Sequence, residues 1–499
     1  MTPLALLSIL AIATPAETTL VVNAVVVDGT GAPGRRASVR IAGGRILAVG
    51  ALKPARGDRV VDARGFVLAP GFIDTHAHYD DSLLVRLDAL PAVSQGITTI
   101  VVGQDGEQPY PLADFFGRLQ ASPAAVNVAS YAGHGTIRRD VLGDDFRRAA
   151  SAAEVATMRQ RLERELAAGA LGLSTGLEYD PGIYSDPDEV LALVKVTAAA
   201  GGRYISHVRS EDRRFYSAIT ELLDVGKQAR LPVQLSHAKL AMRSLWGSAP
   251  KLLERLDSAR KTGVDVTLDV YPYTYWQSTI TVLFPGRNFS DSGEAELVLA
   301  EVAAADGIRI TDAADRSIVG RSIAEIARDA GEAPVLTLMR LAQRGDSIER
   351  AGDDYIGIIG TSMAEEDIAT LLAWPHANVS SDGASGGGHP RGWGAFPRVL
   401  GRYVRERKVV SLEDAVRKMT SLSAAHVGLK DRGTIAPGSR ADLVLFNPKT
   451  VADRATPASP SLPAAGILRV WTNGVEVYRD GKPTGARPGV VLRRGGSGA

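Results

Sequence analysis

The sequence contains no cysteine among its 499 residues. This absence excludes disulfide bonds, cysteine nucleophiles and thiolate metal sites, so any strong metal ligands must be histidines or carboxylates. Histidine is itself scarce, with eight residues in the chain. Histidines that gather in one motif are therefore informative about function.

The chain also lacks an excess of charge of either sign. Its 57 Lys and Arg residues are balanced by 56 Asp and Glu residues, and 45% of the residues are hydrophobic, as in an ordinary globular protein. A balanced charge gives no general attraction to nucleic acid or to an anionic membrane. We therefore expect a small-molecule substrate, while the oligomeric state stays open.

No hydrophobic run is long enough to span a bilayer. The longest apolar stretch near the start runs from Leu4 to Ala13, and small residues follow it up to Ala16. This pattern predicts a signal peptide over residues 1–16 and export, with the periplasm as the expected location. The alternative is an uncleaved tail or a buried first strand in a cytoplasmic protein, because the segment before the run has no Lys or Arg.

Two blocks of short alternating strands flank a long central region. Residues 17–69 and 430–499 carry this strand pattern with glycine-rich turns, which predicts one small β-sandwich domain formed by both chain ends. Residues 70–429 alternate apolar runs with helical stretches, which is typical of a TIM (β/α)8 barrel. The eight predicted barrel strands lie in the segments GFIDTH, TTIVVG, VNVASYAG, LGLSTGL, RYISHV, VQLSHA, VTLDVYPY and NVSSDG.

The segment at about 288–357 is longer than a loop of the barrel requires. Its periodicity predicts helices in SIAEIARDAG and VLTLMRLAQRG. Two interpretations remain open at this point. The segment is either a lid or specificity insert over the barrel mouth, or a packing excursion with no role at the site.

The motif GFIDTHAHYD indicates a metal site. His76 and His78 are two residues apart on a strand, so both imidazoles point to the same side. His207 and His237 each end a later apolar run, and Asp382 follows the last predicted strand. Because active sites of TIM barrels form at the carboxyl ends of the strands, we expect these five side chains to converge there.

Four histidines and one aspartate suit one or two zinc ions, or another divalent ion, with open coordination positions. Such an ion lowers the pKa of water to about 7 and polarises a carbonyl group. Asp382 would then accept the proton from that water and pass it to a leaving nitrogen, as general base and then general acid.

These motifs resemble the amidohydrolase superfamily and, within it, the N-acyl-D-amino-acid deacylases, or D-aminoacylases. The similar segments run in order from residue 71 to residue 446 and cover most of the chain. They include GFIDTHAHYD, GALGLSTGLEYDPGIYS, HVRSE, LSHAK, DVYPYT, SDGASGGGHPRGWGAFPRVLGRYVRE and RGTIAPGSRADLVLF. The resemblance implies a TIM barrel with a β-sandwich built from both termini, and hydrolysis of an amide bond.

The resemblance also implies roles for individual residues. It implies metal ligation by the four histidines and acid–base duty for Asp382. Recognition of a substrate carboxylate is implied for Lys239, Tyr271, Ser278 and Arg391, a set that can surround an anion with charge-assisted hydrogen bonds. We further expect His134, at the end of the third strand, to line the site and orient the carbonyl, and Arg209 to pair with Glu211 at the rim.

One departure from the family pattern concerns the turn after the second strand. The D-aminoacylases carry a metal-binding cysteine there, whereas this chain reads GQDG with Asp105 at that place. Glu178, at the end of the fourth strand, is a second carboxylate that could lie between two metal ions. We prefer Glu178 as the bridging ligand, with Asp105 as the alternative.

The departure keeps other functions open. The leading hypothesis is deacylation of N-acyl-D-amino acids. An exported dipeptidase, or another amidohydrolase with a different acyl preference, is a second hypothesis, and a non-catalytic metal- or ligand-binding barrel is a third. An intact proton-transfer aspartate argues against the third, since a binding protein has no use for one.

Overall fold

The computed structural model describes residues 18–352 and 355–496. The predicted signal peptide at 1–16 lies outside the described residues. The strands are β1 (Thr18–Val26), β2 (Arg35–Ala42), β3 (Arg45–Gly50), β4 (Asp58–Asp62), β5 (Val67–Pro70), β6 (Phe72–Asp74), β7 (Ile97–Val102), β8 (Asn127–Ser130), β9 (Ala132–Gly133), β10 (Gly172–Gly176), β11 (Arg203–His207), β12 (Val233–Leu235), β13 (Val266–Val270), β14 (Tyr275–Thr279), β15 (Ile308–Asp312), β16 (Gly357–Thr361), β17 (Ala377–Val379), β18 (Leu443–Phe446), β19 (Ile467–Thr472), β20 (Val475–Arg479) and β21 (Lys482–Pro483).

The α-helices alternate with the central strands. They are α1 (Asp80–Leu83), α2 (Leu90–Val93), α3 (Leu112–Ala121), α4 (His134–Leu142), α5 (Ala152–Ala168), α6 (Pro187–Ala199), α7 (Phe215–Ala229), α8 (Ala249–Lys261), α9 (Ser292–Leu297), α10 (Ile323–Ala330), α11 (Pro334–Ala351), α12 (Glu365–Ala373), α13 (Arg391–Arg398), α14 (Leu412–Met419) and α15 (Ser421–Val427). Single 3₁₀ turns lie at Gly143–Asp145, Gly182–Tyr184, Arg243–Leu245 and Ile280–Leu283, and π-helical turns at Val298–Val302 and Val399–Glu406. Among the described helices, none is both long and apolar enough to cross a membrane.

The central strands form a closed parallel barrel. One parallel sheet has the order β6-β7-β8 and a second has the order β17-β13-β12-β11-β10-β9. Tyr131 alone separates β8 from β9, so the two sheets are continuous there. On the other side, the Asp382 amide donates to the His76 carbonyl at 2.9 Å and the His78 amide donates to the Gly383 carbonyl at 2.8 Å. The predicted eight-stranded barrel is confirmed.

Local sequence explains the barrel elements. All six residues of β7 are buried, as expected for a parallel strand covered on both faces. Helix α5 begins with a capping box, in which Ser151 and Glu154 satisfy each other's backbone amides, and it ends at Gly169 with a φ of 112°. Such start and stop signals set the bounds of the helices that surround the barrel.

Both chain ends contribute to one mixed nine-stranded sheet. Strands β1–β5 come from the first block and β18–β21 from the last. The two blocks meet where β5 pairs antiparallel with β18, with Val67 opposite Phe446. The prediction that both termini build one β domain is confirmed, and hydrogen bonds join its strands into a single sheet.

An insertion between β13 and β17 has a core of its own. Strands β14, β16 and β15 form a three-stranded antiparallel sheet, and helices α9, α10 and α11 pack against it. This unit starts at Tyr275, earlier than the segment at 288–357 that the sequence indicated. It lies where the polypeptide leaves the carboxyl end of β13, and it therefore reaches the barrel mouth.

Candidate metal centre and active site

A cavity of about 1290 Å³ opens at the carboxyl ends of the barrel strands. The insertion supplies part of its wall through Trp276 and Ser278, which supports the interpretation of the insertion as a specificity element over the mouth. The predicted site residues that line the cavity are His78, Asp105, Glu178, His207, His237, Lys239, Ser278, Asp382 and Arg391. His76 lies fully buried in its floor, and Tyr271 is 2% exposed beneath Arg391.

A first set of metal-ligating atoms forms around the His-x-His motif. One ligand atom each from His76, His78, Asp105 and Asp382 lies within 4.8 Å of the others. His78 Nε2 is 3.2 Å from Asp382 Oδ1, and His76 Nε2 is 3.4 Å from Asp105 Oδ1. Both histidines thus turn Nε2 towards the carboxylates of Asp105 and Asp382.

A second set lies beside the first and consists of Asp105, His207 and His237. His207 Nδ1 is 3.0 Å from His237 Nε2, which is in turn 3.3 Å from Asp105 Oδ2. Because Asp105 belongs to both sets, its two oxygens can face two ions at once. Asp105 is therefore the carboxylate placed between the two sets.

A third set contains Glu178, His207 and Glu211. Glu178 Oε2 lies 3.0 Å from His207 Nε2, the ring nitrogen opposite the one that faces His237. Glu178 is thus on the far side of the His207 ring from Asp105. The geometry favours Asp105 as the shared ligand, against our preference for Glu178 from the sequence.

The backbone at three of these residues adopts the left-handed conformation. The φ angles are 53° at Asp105, 32° at His237 and 50° at Asp382, and non-glycine residues with such angles are concentrated at functional sites. The turn at Asp105 also depends on Gly106, where a Cβ atom would lie 2.9 Å from the Gly176 amide nitrogen. The close approach of these loops brings Asp105 over the histidines.

Several buried polar atoms of the site have no hydrogen-bond partner among the described residues. They include both ring nitrogens of His76 and Oδ1 of Asp105. Buried polar atoms are nearly always satisfied in folded proteins, so atoms left unpaired at one point indicate that a ligand completes them. Imidazole nitrogens with carboxylate oxygens are a donor set that suits zinc. The residues present therefore fit a zinc centre of one or two ions.

Opposite charges hold the buried carboxylate of Asp382 in its ionised form. Burial raises the pKa of Asp382, but the Arg391 guanidinium and His237 outweigh burial and hold it well below its usual range. Arg391 Nη1 lies 2.6 Å from Asp382 Oδ2. Burial and Lys239 lower the pKa of His237, yet the neighbouring carboxylates, led by Asp105, raise it to about 10. Asp382 is thus available as a proton acceptor.

Lys239 is anchored by a carboxylate that the sequence assigned differently. Its Nζ donates to Oε1 and Oε2 of Glu211 at 2.7 and 2.8 Å. Burial raises the pKa of Glu211, but His207 and Lys239 outweigh it and lower the pKa to about 2. The expected pair of Arg209 with Glu211 is wrong, because Arg209 instead donates to Glu221 at 2.9 Å.

His134 does not line the cavity, and the prediction that it does is wrong. Its side chain is fully buried, and Nε2 lies 2.7 Å from Glu189 Oε1. Arg138 donates to the same oxygen at 2.9 Å. His134 begins helix α4 after the strand has ended, so its ring turns away from the mouth and joins a buried structural network.

The sequence interpretation missed Asp269 at the end of β13. Its Oδ1 accepts from the His237 amide at 3.0 Å and from Ser380 Oγ at 2.6 Å, and it lies 3.8 Å from His76 Nδ1. Asp269 thereby links the backbone of one candidate ligand to the ring of another. Its position as the acidic residue near the end of the strand VTLDV could have revealed it.

Comparisons with known proteins show extensive sequence similarity to one family. Residues 59–478 match the model of a family described as the amidohydrolase family. An N-acyl-D-glutamate deacylase of Alcaligenes xylosoxydans xylosoxydans is 40% identical, and the match covers 95% of this chain and 96% of that protein. These similarities extend over the barrel and the terminal sheet alike.

Two solved structures are similar over nearly the whole chain. The N-acyl-D-glutamate deacylase of Bordetella bronchiseptica, complexed with zinc and a phosphonate mimic of the tetrahedral intermediate, is 36% identical with a TM-score of 0.85, and the match covers 96% of this chain and 100% of that one. A D-aminoacylase described as having a binuclear metal centre is 35% identical with a TM-score of 0.84 and the same coverage.

Proposed function

The chain belongs to the amidohydrolase family, and on this basis we propose that it hydrolyses the amide bond of N-acyl-D-amino acids. The products are a carboxylate and a free D-amino acid. One observation carries the proposal: two sets of nitrogen and oxygen donors share Asp105 at the barrel mouth, and one of them includes the ionised Asp382. The similarity to deacylases of N-acyl-D-amino acids supports the substrate class.

The two sets would hold zinc. His76, His78 and Asp382 form one side, His207 and His237 form the other, and Asp105 lies between them. Zinc supplies two things when it is bound, a lowered pKa of water and polarisation of the substrate carbonyl. The protein supplies the fixed geometry, since all these side chains extend from strand ends or from tight turns that follow them.

Asp382 moves the proton. It accepts the proton of the attacking water on a carboxylate oxygen, holds it, and delivers it to the nitrogen of the scissile amide as the C–N bond breaks. The Arg391 guanidinium favours the ionised form before the reaction, because it lies against Oδ2. Oδ1, which faces His76 and His78, is on the side where the water must be.

The α-carboxylate of the substrate would bind beside Tyr271. Arg391 Cζ lies 4.8 Å and Lys239 Nζ lies 5.8 Å from the centre of the Tyr271 ring, so two cations converge on one face of the cavity. Ser278 lines the same cavity from the insertion. Cations around a fixed hydroxyl-bearing ring are suited to a carboxylate, which accepts two parallel hydrogen bonds from an arginine.

The size of the cavity favours a second candidate, a dipeptidase or a deacylase with a larger acyl group. The volume of about 1290 Å³ exceeds what a small N-acetyl amino acid needs. Apolar side chains of the insertion, including Trp276 and Leu283, line it beside the charged ones. Both candidates use the same metal centre and the same proton transfer by Asp382.

Paired enantiomers test the proposal. Zinc-loaded protein is incubated with N-acetyl-D- and N-acetyl-L-amino acids and with D- and L-configured dipeptides, and the released amine is measured alongside the zinc content. Preferential cleavage of the N-acyl-D-amino acids supports the proposal. Equal cleavage of both enantiomers, or cleavage of dipeptides alone, contradicts the assignment to D-amino acids.

We further propose that the protein is exported to the periplasm. The apolar run from Leu4 to Ala13 followed by small residues supports this location. Cell fractionation followed by sequencing of the amino terminus of the purified protein tests it. Recovery in the cytoplasm with residues 1–16 intact would contradict it.

A further inference from the structure

We propose that Glu178 is a positioning residue, which accepts a hydrogen bond from His207 Nε2 and so leaves His207 Nδ1 free to bind metal. The inference rests on the proposed zinc centre. It assigns Glu178 a function in metal affinity that is separate from ligation, and it identifies the ring nitrogen of His207 that faces the ion.

The two nitrogens of His207 face different partners. On one side, Nε2 lies 3.0 Å from Glu178 Oε2. On the other side, Nδ1 lies 3.0 Å from His237 Nε2, the atom that also faces Asp105, and 3.1 Å from the Tyr179 hydroxyl, which can donate to a lone pair there. A neutral imidazole carries a proton on one nitrogen and a lone pair on the other. A carboxylate at Nε2 holds the proton there, which directs the lone pair at Nδ1 towards Asp105 and His237.

Glu178 is poorly placed to act as a shared ligand itself. The His207 ring separates its carboxylate from Asp105, the residue common to the two metal sets. Glu178 also has a second hydrogen bond to satisfy, because its Oε1 accepts from the Glu211 amide at 3.4 Å. Both carboxylate oxygens therefore have donors within the protein.

The backbone of Glu178 is held from the insertion. Arg287 Nη2 donates to the Glu178 carbonyl at 3.0 Å, and Arg287 Nε donates to Asp180 at 3.0 Å. The side chain of Glu178 is buried, with 7% of the residue exposed. A buried carboxylate on an anchored backbone holds its hydrogen-bond partner in one orientation, as is required of a group that orients a metal ligand.

The other two buried histidines of the site have different surroundings. His237 Nδ1 lies 2.6 Å from Lys239 Nζ and 3.2 Å from Glu211 Oε1. His76 turns Nδ1 towards Asp269 at 3.8 Å. A carboxylate lies near the outward nitrogen of each ring, but at His237 the Lys239 ammonium is closer. Glu178 makes the closest of the three carboxylate contacts, at 3.0 Å. The His207–Glu178 pair is therefore the one in which substitution should have the clearest effect.

Two substitutions separate hydrogen bonding from packing. Glu178→Gln keeps an acceptor oxygen and removes the charge, whereas Glu178→Met keeps a similar length and removes the acceptor. Zinc affinity is measured by competition with a chromophoric chelator, on protein whose folding is checked by circular dichroism. We expect affinity to fall about 10-fold in Glu178→Gln and about 100-fold in Glu178→Met, with the number of zinc ions per chain unchanged at saturation.

A matched control uses another glutamate of the same cavity. Glu349 lines the wall and accepts a hydrogen bond from Thr281, away from the histidines. Glu349→Gln should bind zinc as tightly as the parent protein. A loss of affinity in this control equal to that of Glu178→Gln would overturn the inference.

The same measurements distinguish a positioning residue from a ligand. If Glu178 were a ligand, Glu178→Met would bind fewer zinc ions per chain, and X-ray absorption would show one oxygen donor fewer. If Glu178 only packed, Glu178→Met would bind zinc like the parent. Either result overturns the inference. Because zinc binding is measured without substrate, failure of the D-amino-acid assignment would be seen separately, in the hydrolysis of paired enantiomers.

Discussion

The terminal sheet and the barrel mouth both bury acidic groups, but they satisfy them differently. In the sheet, Glu476 is 7% exposed and accepts hydrogen bonds from Arg59, Arg469 and Arg479. Asp442 in the same region is paired with Arg432 and accepts from the Asn473 amide. These two carboxylates of the sheet thus find their partners within the protein.

At the mouth, negative charge and imidazole rings meet without complete pairing. Both nitrogens of His76 and one oxygen of Asp105 are buried and lack hydrogen-bond partners among the residues described. An unpaired buried polar group costs about 1–3 kcal/mol. Glu476 and Asp442 thus have arginine partners for their charges, whereas His76 and Asp105 keep unpaired atoms at one point, where a ligand can complete them.

Removal of the metal tests the comparison most severely. Dialysis against a strong chelator should abolish hydrolysis, and added zinc should restore it. Removal of zinc should also lower the melting temperature, because a ligand at about 1,000 times its Kd stabilises the folded state by about 4 kcal/mol. Calorimetry of metal-free and zinc-loaded protein checks this. Identical melting curves would mean that the unpaired atoms at the mouth have no ion to bind.

Asp382→Asn should have the next largest effect. The amide cannot accept the proton of the attacking water, so we expect kcat to fall about 10³-fold. Zinc content is measured in the same samples, because Asp382 is also a candidate ligand. If the variant retained its zinc and most of its turnover, Asp382 would not be the group that transfers the proton.

Arg391→Lys should alter substrate binding more than turnover. A lysine cannot donate two parallel hydrogen bonds to a carboxylate, so we expect KM to rise about 10- to 100-fold. Steady-state kinetics with an N-acyl-D-amino acid measures KM and kcat separately. An unchanged KM would remove Arg391 from the proposed carboxylate site.

Glu476→Gln should affect stability alone, and it is the smallest of the expected effects. Loss of the charged acceptor should lower the free energy of unfolding by about 1–3 kcal/mol and leave kcat and KM unchanged. Denaturant unfolding and steady-state kinetics check the two parts. A loss of activity at equal zinc content would show that the sheet and the mouth are coupled.

The pH dependence of that variant sharpens the same test. Burial raises the pKa of Glu476, but hydrogen bonds from Arg479 and Arg469 outweigh it and hold the pKa below the usual 4.5. A depressed pKa stabilises the fold fully above about pH 4.5, and this contribution is lost as the pH falls through the lower folded value. The stability difference between the parent and Glu476→Gln should therefore shrink in acid.

Much of the site could be predicted because its chemistry coincides with strand ends. His76, His78, His207, His237 and Asp382 each follow an apolar run, and parallel strands bring their carboxyl ends to one mouth. In the structure, these five side chains lie together at the barrel mouth, in two sets that share Asp105. Asp269 also lies near the carboxyl end of a barrel strand. It was missed because it lies inside the apolar run and has no histidine beside it.

Other features could not be predicted because they depend on side-chain direction. His134 looked like a site residue, but the helix that starts there turns its ring towards Glu189. Arg209 and Glu211 are close in sequence, yet Arg209 pairs with Glu221 and Glu211 pairs with Lys239. Proximity along the chain does not determine which way a side chain leaves a turn.

The sequence by itself determined the barrel, the β domain formed by both ends and the inventory of nitrogen and oxygen ligands, because periodicity and residue type are local properties. Only the tertiary structure decided that Asp105 lies between the two metal sets while Glu178 lies behind His207. The physical reason is that a carboxylate acts as ligand or as hydrogen-bond acceptor according to which imidazole nitrogen it faces, and that direction arises when separate strands and loops pack together.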